Sequence, residues 1–196
     1  RHWEHVSAIQ GCYFALPTQA TSNQMFTRVH DYLTKTYPRN DAINLQLLHG
    51  HAALSQEFES LKKGNRHLLN PSYSEGHSHD EDNVVAAEWF TYRKRGLLSP
   101  FGVGTIDQAL LSVLQTKHVF VRLFGLSSKT VIIDEVHAYD TYMTTLLERL
   151  LEWLAALGSP VVMLSATLPN ERKDRLLHAY AKGLGKTVLF PQEVIP

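Results

Sequence analysis

The sequence predicts an α/β fold, a mostly parallel sheet with helices on both faces. Three observations carry that prediction. Segments 12–16, 131–133 and 161–164 are apolar without alternation, the pattern of parallel strands buried on both faces. Stretches with apolar residues at helical spacing separate them, as crossover connections require. A polar cluster follows most of the strands, and in an open parallel sheet such clusters share the edge where ligands bind. No internal repeat appears, so residues 1–196 are read as one domain.

Each element has its own signal. Residues 1–10 place Trp3, Val6 and Ile9 at helical spacing, and Gly11 stops the run. Residues 12–16 form a short strand closed by Pro17. After the turn Pro17-Thr18-Gln19-Ala20, Thr21 and Gln24 have capping-box spacing, and Met25, Phe26, Val29 and Leu33 continue a helical stripe. His49-Gly50-His51 ends the strand 43–48, and a helix over 52–63 carries Leu54, Phe58 and Leu61. Residues 64–82 lack periodicity and read as an exposed loop or insertion. A helix over 84–93 holds Trp89, Phe90 and Tyr92, read as packing residues, and closes on the solvated cluster Arg93-Lys94-Arg95.

The second half repeats the theme. Residues 103–106 end a strand, and Thr105 with Gln108 repeats the capping-box spacing ahead of 109–114. Residues 120–126 are a short apolar helix or turn leading into 131–133. Asp140 caps a long helix to Leu157 that turns Leu146, Leu147, Leu150, Leu151, Leu154 and Leu157 inward, and Gly158 with Pro160 ends it. A strand over 161–164, a helix from Asn170 to about Ala181 and a last strand over 188–190 complete the chain.

Composition bounds the function. With 19 basic and 19 acidic residues the chain has no global field for nucleic acid, so any such binding rests on local placement. The single cysteine, Cys12, lies in an apolar run and reads as a buried structural thiol, which excludes disulfide frameworks and Cys-based zinc sites. No apolar run has the length of a membrane span and no secretory signal opens the chain, so a cytoplasmic setting without membrane contact is expected. His77, His79 and Asp80 sit in the polar loop without a partner cluster, and read as solvated rather than metal-binding.

The chemistry gathers around Val131-Ile132-Ile133-Asp134-Glu135-Val136-His137. A buried strand ends on two carboxylates at the edge where ligands bind. In nucleotide-hydrolysing folds the first such carboxylate holds Mg²⁺ and its neighbour orients or activates the attacking water. The plainer reading is an acidic strand end capping the next helix. Pro17-Thr18-Gln19, His49-Gly50, Gly104-Thr105 and Ser165-Ala166-Thr167 stand at other strand ends, and a parallel sheet brings all of them to one edge.

Asp134-Glu135-Val136-His137 followed by Ser165-Ala166-Thr167 resembles the first RecA-like (P-loop NTPase) lobe of superfamily 2 helicases. The stretches 14–25, 104–108 and 131–143 resemble more narrowly the effector helicase-nuclease of CRISPR type I systems, over residues 11–180. The resemblance implies an ATP-driven translocase on single-stranded DNA, acting in antiviral defence. It also implies an RNA-guided surveillance complex as partner, a second RecA-like lobe, and an HD nuclease domain that degrades the unwound strand. Carried over by position, Asp134 holds Mg²⁺ with ATP and Glu135 polarises water. His137, Ser165 and Thr167 couple nucleotide state to DNA grip, and Thr18, Gln19, Asn23, His49, Gly50, Thr105 and Gln108 lie near the DNA backbone. Neutral donors and helix N-termini suit phosphate contacts that ignore sequence.

The family's lobe opens with a strand and a phosphate-cradling Gly-Lys-Thr loop, and none precedes Gly11. The chain is therefore read as a partial lobe lacking its first strand and phosphate loop, inactive alone. Gly183-Leu184-Gly185-Lys186-Thr187 is a decoy: Tyr180 stands where the spacing needs glycine, and the run follows a helix instead of a strand. Two other readings stay open, a non-catalytic RecA-like module binding DNA or protein, and a lobe of another superfamily 2 helicase.

Overall fold

A computed structural model of the chain describes residues 10–37, 43–50, 84–85, 95–114 and 119–187. The expected helix over 1–10 except Gln10, the helix over 52–63, the loop 64–82, Trp89, Phe90, Tyr92, Arg93, Lys94, His51, His77, His79 and the strand 188–190 lie outside the described residues. Six strands are assigned: β1 (Gly11–Leu16), β2 (Ile43–Leu48), β3 (Val84–Val85), β4 (Phe101–Thr105), β5 (Lys129–Ile133) and β6 (Val161–Met163). They form one sheet in the order β3-β2-β4-β1-β5-β6, and every neighbouring pair is parallel. Among the described residues the α-helices are α1 (Gln19–Thr36), α2 (Ile106–Leu110), α3 (Val119–Leu126), α4 (Thr141–Ala156) and α5 (Asn170–Gly183).

Helices cover both faces, as expected. On one face α1 lays Phe26, Val29 and Leu33 over Leu16, Leu45, Leu47 and Val103. On the other, Leu147, Leu150, Leu151 and Leu154 of α4 and Leu176 of α5 pack on Tyr13, Ala15, Val131 and Ile133. Alternation along β1 explains the division, since Tyr13 and Ala15 point one way while Phe14 and Leu16 point the other. Leu147, Leu150, Leu151 and Leu154 are fully buried, each contributing about 1.5–3 kcal/mol of transfer free energy, whereas Leu157, expected inward, lies just past the end of α4 and is 38% exposed.

Several boundaries differ from expectation. Val84 and Val85 pair with Ile43 and Asn44 as a strand, so the helix expected from Val84 does not begin there; two β-branched residues beside an open sheet edge favour pairing. The cap of α1 is Thr18, with Thr21 as its reciprocal partner, instead of Thr21 with Gln24. Pro17 ends β1 directly before Thr18, whose extended backbone suits the capping position. Thr105 precedes α2 without a side-chain capping bond, because it is buried. Asp140 does cap α4, accepting from Met143 N at 2.7 Å, and Gly158 follows that helix with φ of 72°.

Burial on both sheet faces holds for β1, β2 and β4, but not for the other end of the sheet. Ile132 is half-buried, while Val162 and Leu164 are exposed. At the amino edge, Lys129 is buried and its ammonium donates to the carbonyls of Leu97 and Ser99. Burial pulls that amine down to about 7, and pushes the neighbouring Cys12 thiol up to about 12. So Cys12 is a neutral structural thiol.

Candidate functional site: the carboxyl edge of the sheet

The all-parallel order brings the five expected clusters to one edge, in the spatial sequence β2, β4, β1, β5, β6. Asp134 and Glu135 follow β5. The backbone N–H of Asp134 donates to Ala15 at 3.0 Å, and that of Val136 to Leu164 at 3.1 Å, so the turn is held between both neighbouring strands. Glu135 adopts left-handed backbone, φ 53° and ψ 42°. For a residue with a side chain that conformation costs about 1–3 kcal/mol and persists only where the surroundings impose it. Here they do. Asp134 Oδ1 accepts from the Glu135 N–H at 2.9 Å, and the buried Tyr139 donates its hydroxyl to the Asp134 carbonyl at 2.7 Å.

His137 links this turn to the next strand. Its Nδ1 lies 3.3 Å from Ser165 Oγ and 3.2 Å from Glu135 Oε2. Ser165 donates its own proton to the Thr167 carbonyl at 2.9 Å, so its oxygen accepts, and the bonding pattern assigns a proton to His137 Nδ1. That single N–H therefore faces both the Glu135 carboxylate and the Ser165 hydroxyl. Glu135, His137, Ser165 and Thr167 are brought together although 32 positions separate the first from the last.

The other half of the edge is neutral. His49 Nε2 meets Asn23 Oδ1 at 2.8 Å, joining the end of β2 to α1. Gln19 and Gly50 adjoin, since a Cβ on Gly50 would lie 3.6 Å from the Gln19 amide nitrogen. Thr18 commits its hydroxyl to the α1 cap. Thr105 is 6% exposed, and its carbonyl accepts from Tyr13 at 3.2 Å. Gly104 must be glycine, because a Cβ there would lie 2.3 Å from the Leu48 carbonyl oxygen. Gln108 is gripped by Arg122, whose Nη1 donates to its carbonyl at 3.1 Å and lies 3.4 Å from its side-chain oxygen.

The Gly183–Thr187 run is far from this edge. α4 and α5 both start at the carboxyl edge and lie side by side, tied by Glu148–Arg175 at 2.8 Å and Glu152–Lys182 at 2.7 Å. The run therefore closes α5 at the amino edge, with Gly185 at φ 67°, and is a helix-ending turn.

Three supporting residues escaped the sequence reading: Tyr139, Arg122 and Arg172, the last donating to the carbonyls of His137 and Tyr139. Tyr139 lies inside the 131–143 stretch and was findable there. Nothing in the sequence marks the two arginines, whose partners are backbone carbonyls distant along the chain.

A parallel sheet presenting a strand-end Asp-Glu pair, joined through a histidine to a Ser-Ala-Thr turn on the adjacent strand, defines a RecA-like helicase lobe. No family model matches the chain. Its relatives nevertheless place it with the CRISPR-associated Cas3 nuclease/helicases. It is 47% identical over 172 residues to the CRISPR-associated endonuclease/helicase Cas3 of Thermus thermophilus, covering 88% of this chain and 18% of that protein. It is 42% identical over 186 residues to the CRISPR-associated nuclease/helicase Cas3 of Streptococcus thermophilus, covering 93% and 19%. A T. fusca Cas3–ATP crystal structure superposes with a TM-score of 0.72 at 42% identity, over 95% of this chain and 19% of that one. The chain thus spans about a fifth of the length of the curated relatives it matches.

Proposed function

We propose that this edge is the hydrolytic and DNA-facing surface of the first motor lobe of an ATP-driven translocase on single-stranded DNA. The carrying observation is the contact network Glu135–His137–Ser165, which joins the strand-end carboxylates to the neighbouring Ser-Ala-Thr turn. The ATP bound in the T. fusca structure supports the choice of nucleotide.

The donor set fits Mg²⁺ carried in with ATP. Asp134 is a half-exposed strand-end carboxylate, and among the described residues no cluster of His, Cys, Asp and Glu forms a metal cage. A hard ion that keeps water and phosphate oxygens as ligands needs one such carboxylate. Bound there, the ion neutralises charge on the phosphates. Asp134 would be its protein ligand. Glu135 orients and deprotonates the attacking water, and the His137 N–H, shared between Glu135 and Ser165, registers the state of Glu135 at the Ser165–Thr167 turn. Gln19, Asn23, His49, Gly50 and Gln108 face the DNA backbone with neutral donors. Thr18 sets the N-terminus of α1 toward it, and the buried Thr105 acts from behind Gln108.

The relatives' names support a nuclease beside the helicase in the parent protein; we extend this to a second RecA-like lobe, an HD fold for that nuclease, a surveillance complex that delivers the DNA, and a cytoplasmic location. Among the described residues no helix is long and apolar enough to cross a membrane. In the full-length protein, Glu135→Gln is expected to lower ATP turnover by at least about 100-fold while ATP binding persists; unaltered turnover refutes the assignment. The chain alone is expected to show negligible turnover, and robust Mg²⁺-dependent hydrolysis by it would refute the need for further phosphate-binding elements.

A further inference from the structure

The first turn of α5 carries Arg172, and its guanidinium reaches across to the turn between β5 and α4. Nη1 donates to the His137 carbonyl at 3.3 Å, and Nη2 donates to the Tyr139 carbonyl at 2.5 Å and to Thr144 Oγ1. Thr144 is buried, and its own proton goes to the Asp140 carbonyl at 2.7 Å, so toward Arg172 it can only accept. All of these partners are neutral, and they come from both sides of one turn. The fork reaches these three acceptors from two separate nitrogens in one plane, which a single ammonium nitrogen does not reproduce.

The turn so gripped is the one that holds Glu135 in left-handed backbone and presents His137. We infer that Arg172 is a positioning residue: by tying His137, Tyr139 and Thr144 to α5 it locks the turn that presents Glu135 and His137, and makes the segment after β6 move with the segment after β5. The inference rests on the hydrolytic reading of Glu135 given above. The His137–Ser165 contact on the open side is free to change with nucleotide state, whereas the Arg172 clamp lies behind it and keeps the two turns in register. Without the clamp Asp134 still follows β5, held to β1 through its backbone N–H, so nucleotide binding survives. The aim of Glu135 does not.

The test uses variants of the full-length protein, with kcat and KM for ATP measured on saturating single-stranded DNA beside the unfolding midpoint. Arg172→Lys and Arg172→Gln are both expected to lower kcat about tenfold, with KM held within about twofold. Thr144→Val removes one acceptor only and is expected to lower kcat about twofold, which keeps the test decisive if an Arg172 variant does not fold. Full rescue by lysine, an unchanged kcat in every variant, or a loss that vanishes when rates are normalised to folded protein overturns the positioning role. Glu135→Gln runs alongside. If it is inactive while the Arg172 variants match the unsubstituted protein, the clamp is wrong and the hydrolytic reading stands. If it hydrolyses ATP normally, the hydrolytic reading fails and the inference with it.

Discussion

The two halves of the sheet edge are built on opposite plans. On the β2–β4–β1 side, the sheet is covered on both faces and the polar groups are neutral and engaged: Asn23 with His49, Gln108 with Arg122, Thr105 buried. On the β5–β6 side, carboxylates and a histidine stand open in front, Glu135 sits in a costly backbone conformation, and the restraint comes from behind, through Tyr139 and Arg172. The difference follows from the ligands proposed for each. A sequence-independent grip on phosphates can be made by a fixed array of neutral donors. Hydrolysis needs charge at a set angle, and burying a carboxylate without partners would favour its neutral form.

Three changes separate the halves, from the largest expected effect to the smallest, and a fourth tests the opposite edge. Asp134→Ala in the full-length protein should lower ATP turnover by at least about 100-fold, since a Mg²⁺ ligand is worth several kcal/mol. Single-stranded DNA affinity without nucleotide should stay unchanged, and a parallel loss of DNA binding would erase the division between the halves. Gly183→Val comes next. A Cβ there would lie 2.1 Å from the Glu152 carbonyl oxygen of α4, so α5 must lift away, at about 1–3 kcal/mol of stability. Hydrogen exchange should rise in α4 and α5 and not in α1; an even rise would show the halves to be one cooperative unit.

Asn23→Ala should weaken single-stranded DNA binding about two- to tenfold, the worth of one hydrogen-bonded pair, as read by fluorescence anisotropy. An unaltered affinity would remove His49 and Asn23 from the DNA side. The last effect lies at the amino edge, outside both halves. Lys129 has its folded value depressed to about 7, so between there and its ordinary 10.5 the unfolded chain binds more protons and stability rises with pH. Cys12 acts the other way only above its ordinary 9.0, where the unfolded chain loses a proton that the folded one keeps. The unfolding midpoint should therefore rise from pH 7 to about pH 8.5, and Lys129→Met should flatten it. A rise that survives the substitution would assign the titration elsewhere.

Most of the framework was legible in the sequence, because local signals dictate it. Unbroken apolar runs mark β1, β5 and β6, Asp140 and Gly158 bracket α4, and Asp134-Glu135-Val136-His137 announces the strand-end carboxylates. These are properties of neighbouring residues, and chain geometry turns them into strands, caps and an edge whatever the remainder does. Val84 and Val85 fail that rule, since an apolar pair ahead of aromatic residues reads as helix until a strand is there to pair with.

Tertiary structure alone decided the rest. It set which strand ends are neighbours, so that His137 meets Ser165 and Asn23 meets His49. It sent the Gly183–Thr187 run to the edge opposite the carboxylates. It placed Arg172 on carbonyls of a turn 33 and 35 positions earlier in the chain. Every residue carries a carbonyl, so an arginine that binds backbone leaves no complementary residue type to find. Its role appears only when the folded chain brings the turn within reach.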